Sequence, residues 1–285
     1  MEVASAKLKR NNPLSSQPQM SQSDFARISS RIENQCGIIL QDHKRTMVQT
    51  RILDRVSALG LNDFGEYLDY LDEFDRDPEQ EEFCNALTTN LTSFFRENHH
   101  FEHFNKEVEE VQRTGTDRLR IWSAGCSTGE EPYSIAMSLL RMGTNDYVQN
   151  TKVLATDIDS KVLQVARSAT YDREDLSQFP KEMTGPAVRC NATKLEFVPK
   201  IRELISFKRL NLLEPWPMNG PFDFIFCRNV MIYFSAETKA DLISDFAKIL
   251  RPGGILYLGH SETILGEHPM LVGEGNTIYR RVHYG

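Results

Sequence analysis

Leu119-Arg-Ile-Trp-Ser-Ala-Gly-Cys-Ser-Thr-Gly-Glu-Glu-Pro-Tyr-Ser134 decides the fold class. A short apolar run ends in a loop with glycines at 125 and 129, and two acids and a proline then open a helix expected over Glu130 to Met142. This reads as strand, tight turn, helix, with the glycines permitting close approach of a ligand to the backbone. The same alternation continues downstream. Lys152-Val-Leu-Ala-Thr-Asp-Ile-Asp is a second strand, followed by a helix over Ser160 to Ser168. Ile205 to Leu212 and Phe222 to Asn229 are the third and fourth strands. A helix over Ala236 to Leu250 is stopped by Arg251-Pro-Gly-Gly, and the next strand is expected to start at Ile255. Met270 to Arg281 reads as a terminal hairpin strand. Strands alternating with helices predict a doubly wound, mainly parallel α/β sheet over 118–285. Residues 171–202 break the alternation with three prolines and short extended pieces, and read as an insertion.

Upstream the period is helical. Phe25, Ile28, Ile32 and Cys36 recur at spacings of three and four, with Gly37 as a C-cap. His43 to Leu59 repeats the pattern with Val48, Ile52 and Val56, and Gly60 ends it. Asp63 to Leu71 and Glu79 to Leu87 supply two more short helices. The expected organisation is a disordered tail over 1–20, an all-helical domain over 21–90, a linker or helix over 91–117, and the α/β domain.

Composition limits the function classes. A net charge of −7 gives no long-range attraction to nucleic acid. No apolar run approaches the roughly 20 residues of a membrane span, and no apolar core follows Lys7, Lys9 and Arg10 to make a secretory signal. Five scattered cysteines, with no close pair in sequence, suggest neither a zinc site nor a disulfide framework and fit a reducing cytoplasm. His99 and His103 stand four apart, but lack the intervening Glu and third ligand of a zinc motif, so no metal is expected.

The strand ends carry the polar groups. A pyrophosphate site would want bare backbone N–H groups where Glu130 and Glu131 stand; acids there suit a cationic or hydroxyl-bearing ligand. The same residues also make an ordinary helix start, with Glu charges and Pro favoured in a first turn. Asp157 at the end of strand two suits ribose hydroxyls, leaving Asp159 to cap the next helix. Asn211 and Leu212 end strand three, and Arg228, Asn229 and Val230 end strand four. Lys44, Arg51 and Arg55, at spacings of seven and four, share one narrow helical stripe.

Three long motifs then occur in order: Asn85-Ala-Leu-Thr-Thr-Asn-Leu-Thr-Ser-Phe-Phe-Arg-Glu, Gly129-Glu-Glu-Pro-Tyr-Ser and Cys227-Arg-Asn-Val-Met-Ile-Tyr-Phe. With Asp42-His-Lys-Arg and Gly259-His-Ser-Glu, they closely resemble the CheR family of chemotaxis receptor methyltransferases, from about residue 24 to the C-terminus. The resemblance implies a helical domain before a Rossmann-like class I methyltransferase sheet with a small β insertion. It implies methyl transfer from S-adenosyl-L-methionine to receptor glutamates, leaving S-adenosyl-L-homocysteine. Carried over, the cofactor-binding positions are Asn90, Thr92, Arg96, Glu131, Asp157, Asn211, Leu212, Asn229 and Val230, and Arg96 and Tyr233 line the reaction centre. The implied partner is a methyl-accepting chemotaxis receptor, whose acidic helical domain the Lys44–Arg51–Arg55 stripe would meet. A receptor C-terminal tail peptide is a further candidate contact. Competing readings are methylation of a small molecule or RNA, the latter disfavoured by acidity and the lack of an aromatic-basic platform, and a cofactor-loaded adaptor.

Overall fold

The computed structural model describes residues 18–74, 78–113, 118–141 and 150–282. Most of the tail expected over 1–20, and Met142 of the first α/β helix, lie outside the described residues.

The N-terminal part is a helical bundle. Helix α1 (Gln22–Cys36) starts at a capping box, in which Ser21 Oγ accepts from Asp24 N while Asp24 takes the Ser21 N–H, and ends at Gly37 with φ 72°. Its buried residues are Phe25, Ile28, Ile32 and Cys36, the stripe that the sequence spacing marks. Helix α2 (Arg45–Ala58) begins later than His43 because Asp42–Lys44 form a 3₁₀ turn first. Helices α3 (Phe64–Glu73), capped by Asp63, and α4 (Glu79–Leu87) complete a core of Ile28, Ile32, Val48, Ile52, Phe64 and Phe83. Helix α5 (His99–Arg113) follows, and its Phe101 and Phe104 lie on Phe226 and Phe224 of the sheet. The segment that reads as linker or helix therefore covers one sheet face.

The main sheet contains β1 (Arg120–Ala124), β2 (Lys152–Asp157), β6 (Ile205–Arg209), β7 (Phe222–Cys227), β8 (Leu250–Leu258), β9 (Leu271–Gly275) and β10 (Ile278–Arg281). Its order is β6-β2-β1-β7-β8-β10-β9. Pairings from β6 through β8 are parallel, whereas the β9–β10 hairpin is antiparallel. This is the doubly wound, mainly parallel sheet that the alternation of strands and helices predicts. Helix α6 (Glu130–Arg141) follows β1, α7 (Ser160–Ser168) follows β2, and α8 (Ala236–Ile249) precedes β8. Strand order reverses at β1, between β2 and β7, which opens a crevice at the carboxyl ends of these strands.

Strand β8 departs from expectation. It starts at Leu250, so Arg251-Pro-Gly-Gly lies within the strand. The β7–β8 register shifts between Phe222 and Phe224, which accommodates a proline without an N–H, and Asp223 holds Arg251 Nε at 2.5 Å. The insertion is a three-stranded antiparallel sheet, ordered β3-β5-β4, of β3 (Thr170–Asp172), β4 (Val188–Cys190) and β5 (Lys194–Phe197). It packs on the main domain through Phe197, stacked on Tyr133 at 4.1 Å, and Tyr171, edge-on to Phe94 at 5.0 Å.

Candidate active site

The crevice becomes a cleft with about 1110 Å³ of free space, part of it open to solvent, between the sheet's carboxyl edge and the helical bundle. The β1–α6 loop shapes its floor, with Gly125 in the lining. At Gly125, φ 86°, a Cβ would stand 2.2 Å from Val230 Cγ2; at Gly129, φ 103°, it would meet Tyr171 Oη at 2.7 Å. Neither position tolerates a side chain: Gly125 brings bare backbone to the cleft, and Gly129 lets the start of α6 pack on Tyr171 and Ala166.

Asp157 ends β2 facing this loop. Its carboxylate accepts Ser127 N at 2.8 Å and Asp159 N at 3.0 Å. Burial pushes its pKa up to about 6, against the pull of those backbone donors. Asp159 caps α7 through Lys161 N at 2.9 Å, as its position after β2 suggests. Its other oxygen accepts Thr88 Oγ1 and Asn90 Nδ2, both at 2.8 Å. The cap thus also anchors residues 88–90, which roof the cleft, and Ser127 Oγ donates to Asn90 O at 2.8 Å. Asn90 lines the cleft with its side-chain amide committed to Asp159.

Glu131 accepts Ser123 Oγ at 2.7 Å and Arg228 Nη1 at 3.2 Å, and burial raises its pKa against Arg228's attraction. Arg228, its side chain 2% exposed, also faces Glu97 Oε2 at 3.4 Å and donates from Nη2 to the Arg96 carbonyl. Glu97 resists ionisation through burial, yet Arg228 and His260 hold its pKa down to about 2. Arg228 fastens the residue behind Arg96 to the floor of the cleft. Among the described residues, Arg228 Nε is buried without a hydrogen-bond partner.

Asn229 has φ 60°, a strained value that Glu262 stabilises by accepting Asn229 N at 2.7 Å and Ile232 N at 3.1 Å. Gly259 N donates to the same carboxylate at 2.7 Å. This clamp fixes the loop that places Asn229, Val230 and Tyr233 on the cleft wall. Asn211 and Leu212 line the opposite side, where Asn211 Nδ2 donates to Gln35 O at 2.8 Å. Thr92 and Arg96 line the roof, and Arg96 Nη1 donates to Leu91 O at 3.0 Å. Lys44 Nζ sits 5.2 Å from the Tyr233 ring centroid.

All nine positions carried over for the cofactor, together with Tyr233 and Lys44, line one cleft. Arg51 and Arg55 do not line it, and they do not form a free stripe. Arg51 Nη1 donates to Ala86 O at 3.2 Å and Thr88 O at 2.6 Å, closing the end of α4. Arg55 forks onto Glu79, Nε to Oε1 at 2.9 Å and Nη2 to Oε2 at 2.5 Å, beneath the Tyr67 hydroxyl. Helical spacing places side chains on one face but does not tell which of them meet a neighbouring helix. Arg228 and Glu262 hold the cleft in place and are not among the positions carried over from the family. A guanidinium ending a strand buried from Phe222 to Cys227 is the signal for the first; Glu262 ends a quoted motif, but only the folded loop shows what it holds.

His99 and His103 separate in space. His103 lies 3.0 Å from the Tyr257 hydroxyl and 3.2 Å from Glu274, whereas the ligating atoms of His99 gather with those of Glu97 and His100. Arg280 already pairs with both Glu107 and Glu274.

The donor set fits S-adenosylmethionine: the carboxylates of Asp157 and Glu131 and the bare backbone of Gly125 line one cleft, acceptors and space suited to hydroxyl and ammonium groups. Comparison with known families agrees. The model described as CheR methyltransferase, all-alpha domain, matches residues 23–88, and that described as CheR methyltransferase, SAM binding domain, matches residues 90–277. The chemotaxis protein methyltransferase of Escherichia coli (strain K12) is 42% identical over 266 residues, covering 91% of each chain. Chemotaxis protein methyltransferase 2 of Pseudomonas aeruginosa is 42% identical over 270 residues, covering 90% of this chain and 92% of the relative. With both parts matched in order and relatives aligned over nine-tenths of its length, the chain belongs to the CheR methyltransferase family.

Proposed function

We propose that this chain methylates glutamate side chains of chemotaxis receptors in the cytoplasm, forming glutamate methyl esters and S-adenosylhomocysteine. The observation that carries the reading is the convergence of Asp157, Glu131 and Asn229 on a cleft that Arg96 and Tyr233 overlook. S-adenosylmethionine supplies the methyl on a cationic sulfonium. Asp157 would hold the ribose hydroxyls, Glu131 the ammonium, and Asn229 and Val230 the wall beside the methionyl arm.

A glutamate carboxylate, with reference pKa near 4.3, is ionised at neutral pH, so the site needs no general base. Its task is alignment and exclusion of water. Arg96 steers the incoming carboxylate through a forked contact, and Tyr233 donates one hydrogen bond. An ion pair that fully neutralised the carboxylate would blunt its nucleophilicity. Arg96 serves better because Nη1 is shared with the Leu91 carbonyl.

We assign receptor docking to the helical part, with Lys44 at the cleft facing an acidic receptor helix, and Arg51 and Arg55, tied to Ala86, Thr88 and Glu79, holding the helices behind it. The three-stranded insertion is the candidate site for a receptor tail peptide. The test is transfer of label from methyl-labelled S-adenosylmethionine to a receptor signalling domain, followed by mild base. Label that leaves the receptor as methanol supports the proposal. Base-stable label, or none, rejects it.

A further inference from the structure

Cys36 and Cys84, 48 residues apart in sequence, meet in the helical part with their sulfurs 2.8 Å apart. Cys36 ends α1 and Cys84 lies in α4. Both are buried, yet Cys36 also lines the cofactor cleft, which gives a small oxidant a path to the pair. Among the described residues neither belongs to a metal-ligand cluster, and Cys84 Sγ also lies 3.5 Å from Gln35 Oε1. Two thiols this close need to approach by less than an ångström to reach the roughly 2.05 Å of a disulfide.

The last turn of α1 also holds the cleft. Gln35 O accepts Asn211 Nδ2, and Gly37 packs so tightly that a Cβ there would stand 2.8 Å from Leu213 Cδ1. A bond between α1 and α4 would pull this turn against the wall that carries Asn211 and Leu212. We propose that Cys36 and Cys84 are a peroxide-sensitive dithiol whose reversible disulfide weakens cofactor binding. Cys84 is the attacking sulfur: hydrogen bonding from Cys36 lowers its pKa despite burial, with help from Arg209, whereas Cys36 is pushed up. The Cys84 thiolate takes one peroxide oxygen, breaking the O–O bond and releasing water after protonation. Cys36 then displaces the second oxygen as water, giving the S–S bond, so that two thiols and one peroxide yield a disulfide and two waters. A thiol donor reverses the step. The coupling to cofactor rests on the cleft being the S-adenosylmethionine site.

The experiment uses the full chain treated with stoichiometric hydrogen peroxide. Intact mass should fall by two hydrogen atoms, and digestion should yield a Cys36–Cys84 cross-linked peptide that dithiothreitol releases. Affinity for S-adenosylhomocysteine, by calorimetry, should drop severalfold in the oxidised form and recover on reduction. Cys84→Ser should show neither the mass loss nor the affinity loss. Differential alkylation of the wild type gives the same pairing should that variant fold poorly. Absence of the cross-linked peptide, or its replacement by dimers through exposed Cys190, overturns the pairing. A clean disulfide with unchanged affinity overturns the coupling to the cleft, whereas loss of all cofactor binding in the reduced chain would overturn the cofactor assignment instead.

Discussion

Arg228 Nη1 donates to Glu131 Oε2 at 3.2 Å, while the same guanidinium reaches Glu97 at 3.4 Å and the Arg96 carbonyl. The floor of the cleft and the peptide behind Arg96 thus hang on one buried cation lying 5.6 Å from the Phe101 ring. Removing it leaves two carboxylates short of their partner in a dry setting, which typically costs about 3–5 kcal/mol. Arg228→Met should therefore lower stability by an amount of that order in denaturant titration, and cofactor affinity with it. Adding Glu131→Gln should restore part of the stability while leaving affinity low. Wild-type unfolding in Arg228→Met would show that the pairings carry no weight.

Asp157 predicts a pH dependence. Its folded pKa of about 6 lies above the roughly 3.9 of an unfolded aspartate. Between those values the folded chain holds a proton that the unfolded chain has released, so this group's contribution to stability falls as pH rises through the window. In the proposed ribose role cofactor binding runs the other way, because ribose hydroxyls would donate to the ionised carboxylate. Affinity should fall up to about tenfold per pH unit below about 6. Asp157→Asn should weaken binding and flatten that profile. Calorimetry from pH 5 to 8 on both proteins decides it, and parallel profiles would remove Asp157 from the ribose role.

Much of this site is legible in sequence because strand ends in a doubly wound sheet share one edge. Asp157, Asn211 and Asn229 each end or follow a recognisable strand, and topology alone then brings them together. What spacing leaves out is the partner on the far side of a contact. The pairing of Arg55 with Glu79, the span of Asp159 to Thr88 and Asn90, and the clamp of Glu262 all join residues 24 to 71 apart. The strand containing Pro252 is hidden for a related reason: tolerance of proline depends on the register shift against β7.

The basic residues of α2 and of the 3₁₀ turn before it should divide by role. Arg55→Ala strips the partner from Glu79, 4% exposed, and should destabilise the helical part by about 3–5 kcal/mol without a direct effect on chemistry. Lys44→Ala should leave stability within about 0.5 kcal/mol but raise the apparent receptor KM and flatten its salt dependence. Denaturant titration paired with methylation kinetics at two salt concentrations separates them. Equal stability losses, or an unchanged salt response in Lys44→Ala, would contradict the division.

Arg96 is the residue on which the chemistry should depend most. It projects from the roof segment into the cleft, and its backbone is fixed by Arg228, so its guanidinium has a steady base. Nη1 is held by the Leu91 carbonyl at 3.0 Å, which leaves the remaining N–H groups for a substrate carboxylate. Lysine would keep the charge but lose the planar fork that sets the carboxylate's direction. Arg96→Lys should lower kcat by at least about tenfold, roughly 1.4 kcal/mol of transition-state stabilisation, with a smaller change in cofactor Kd. Because alignment rather than ionisation is lost, raising pH should not rescue the variant. Measuring kcat at saturating receptor and cofactor Kd on the same preparation separates the two roles. A large loss of affinity with normal kcat would make Arg96 a holder of the cofactor's own carboxylate, not a guide for the glutamate.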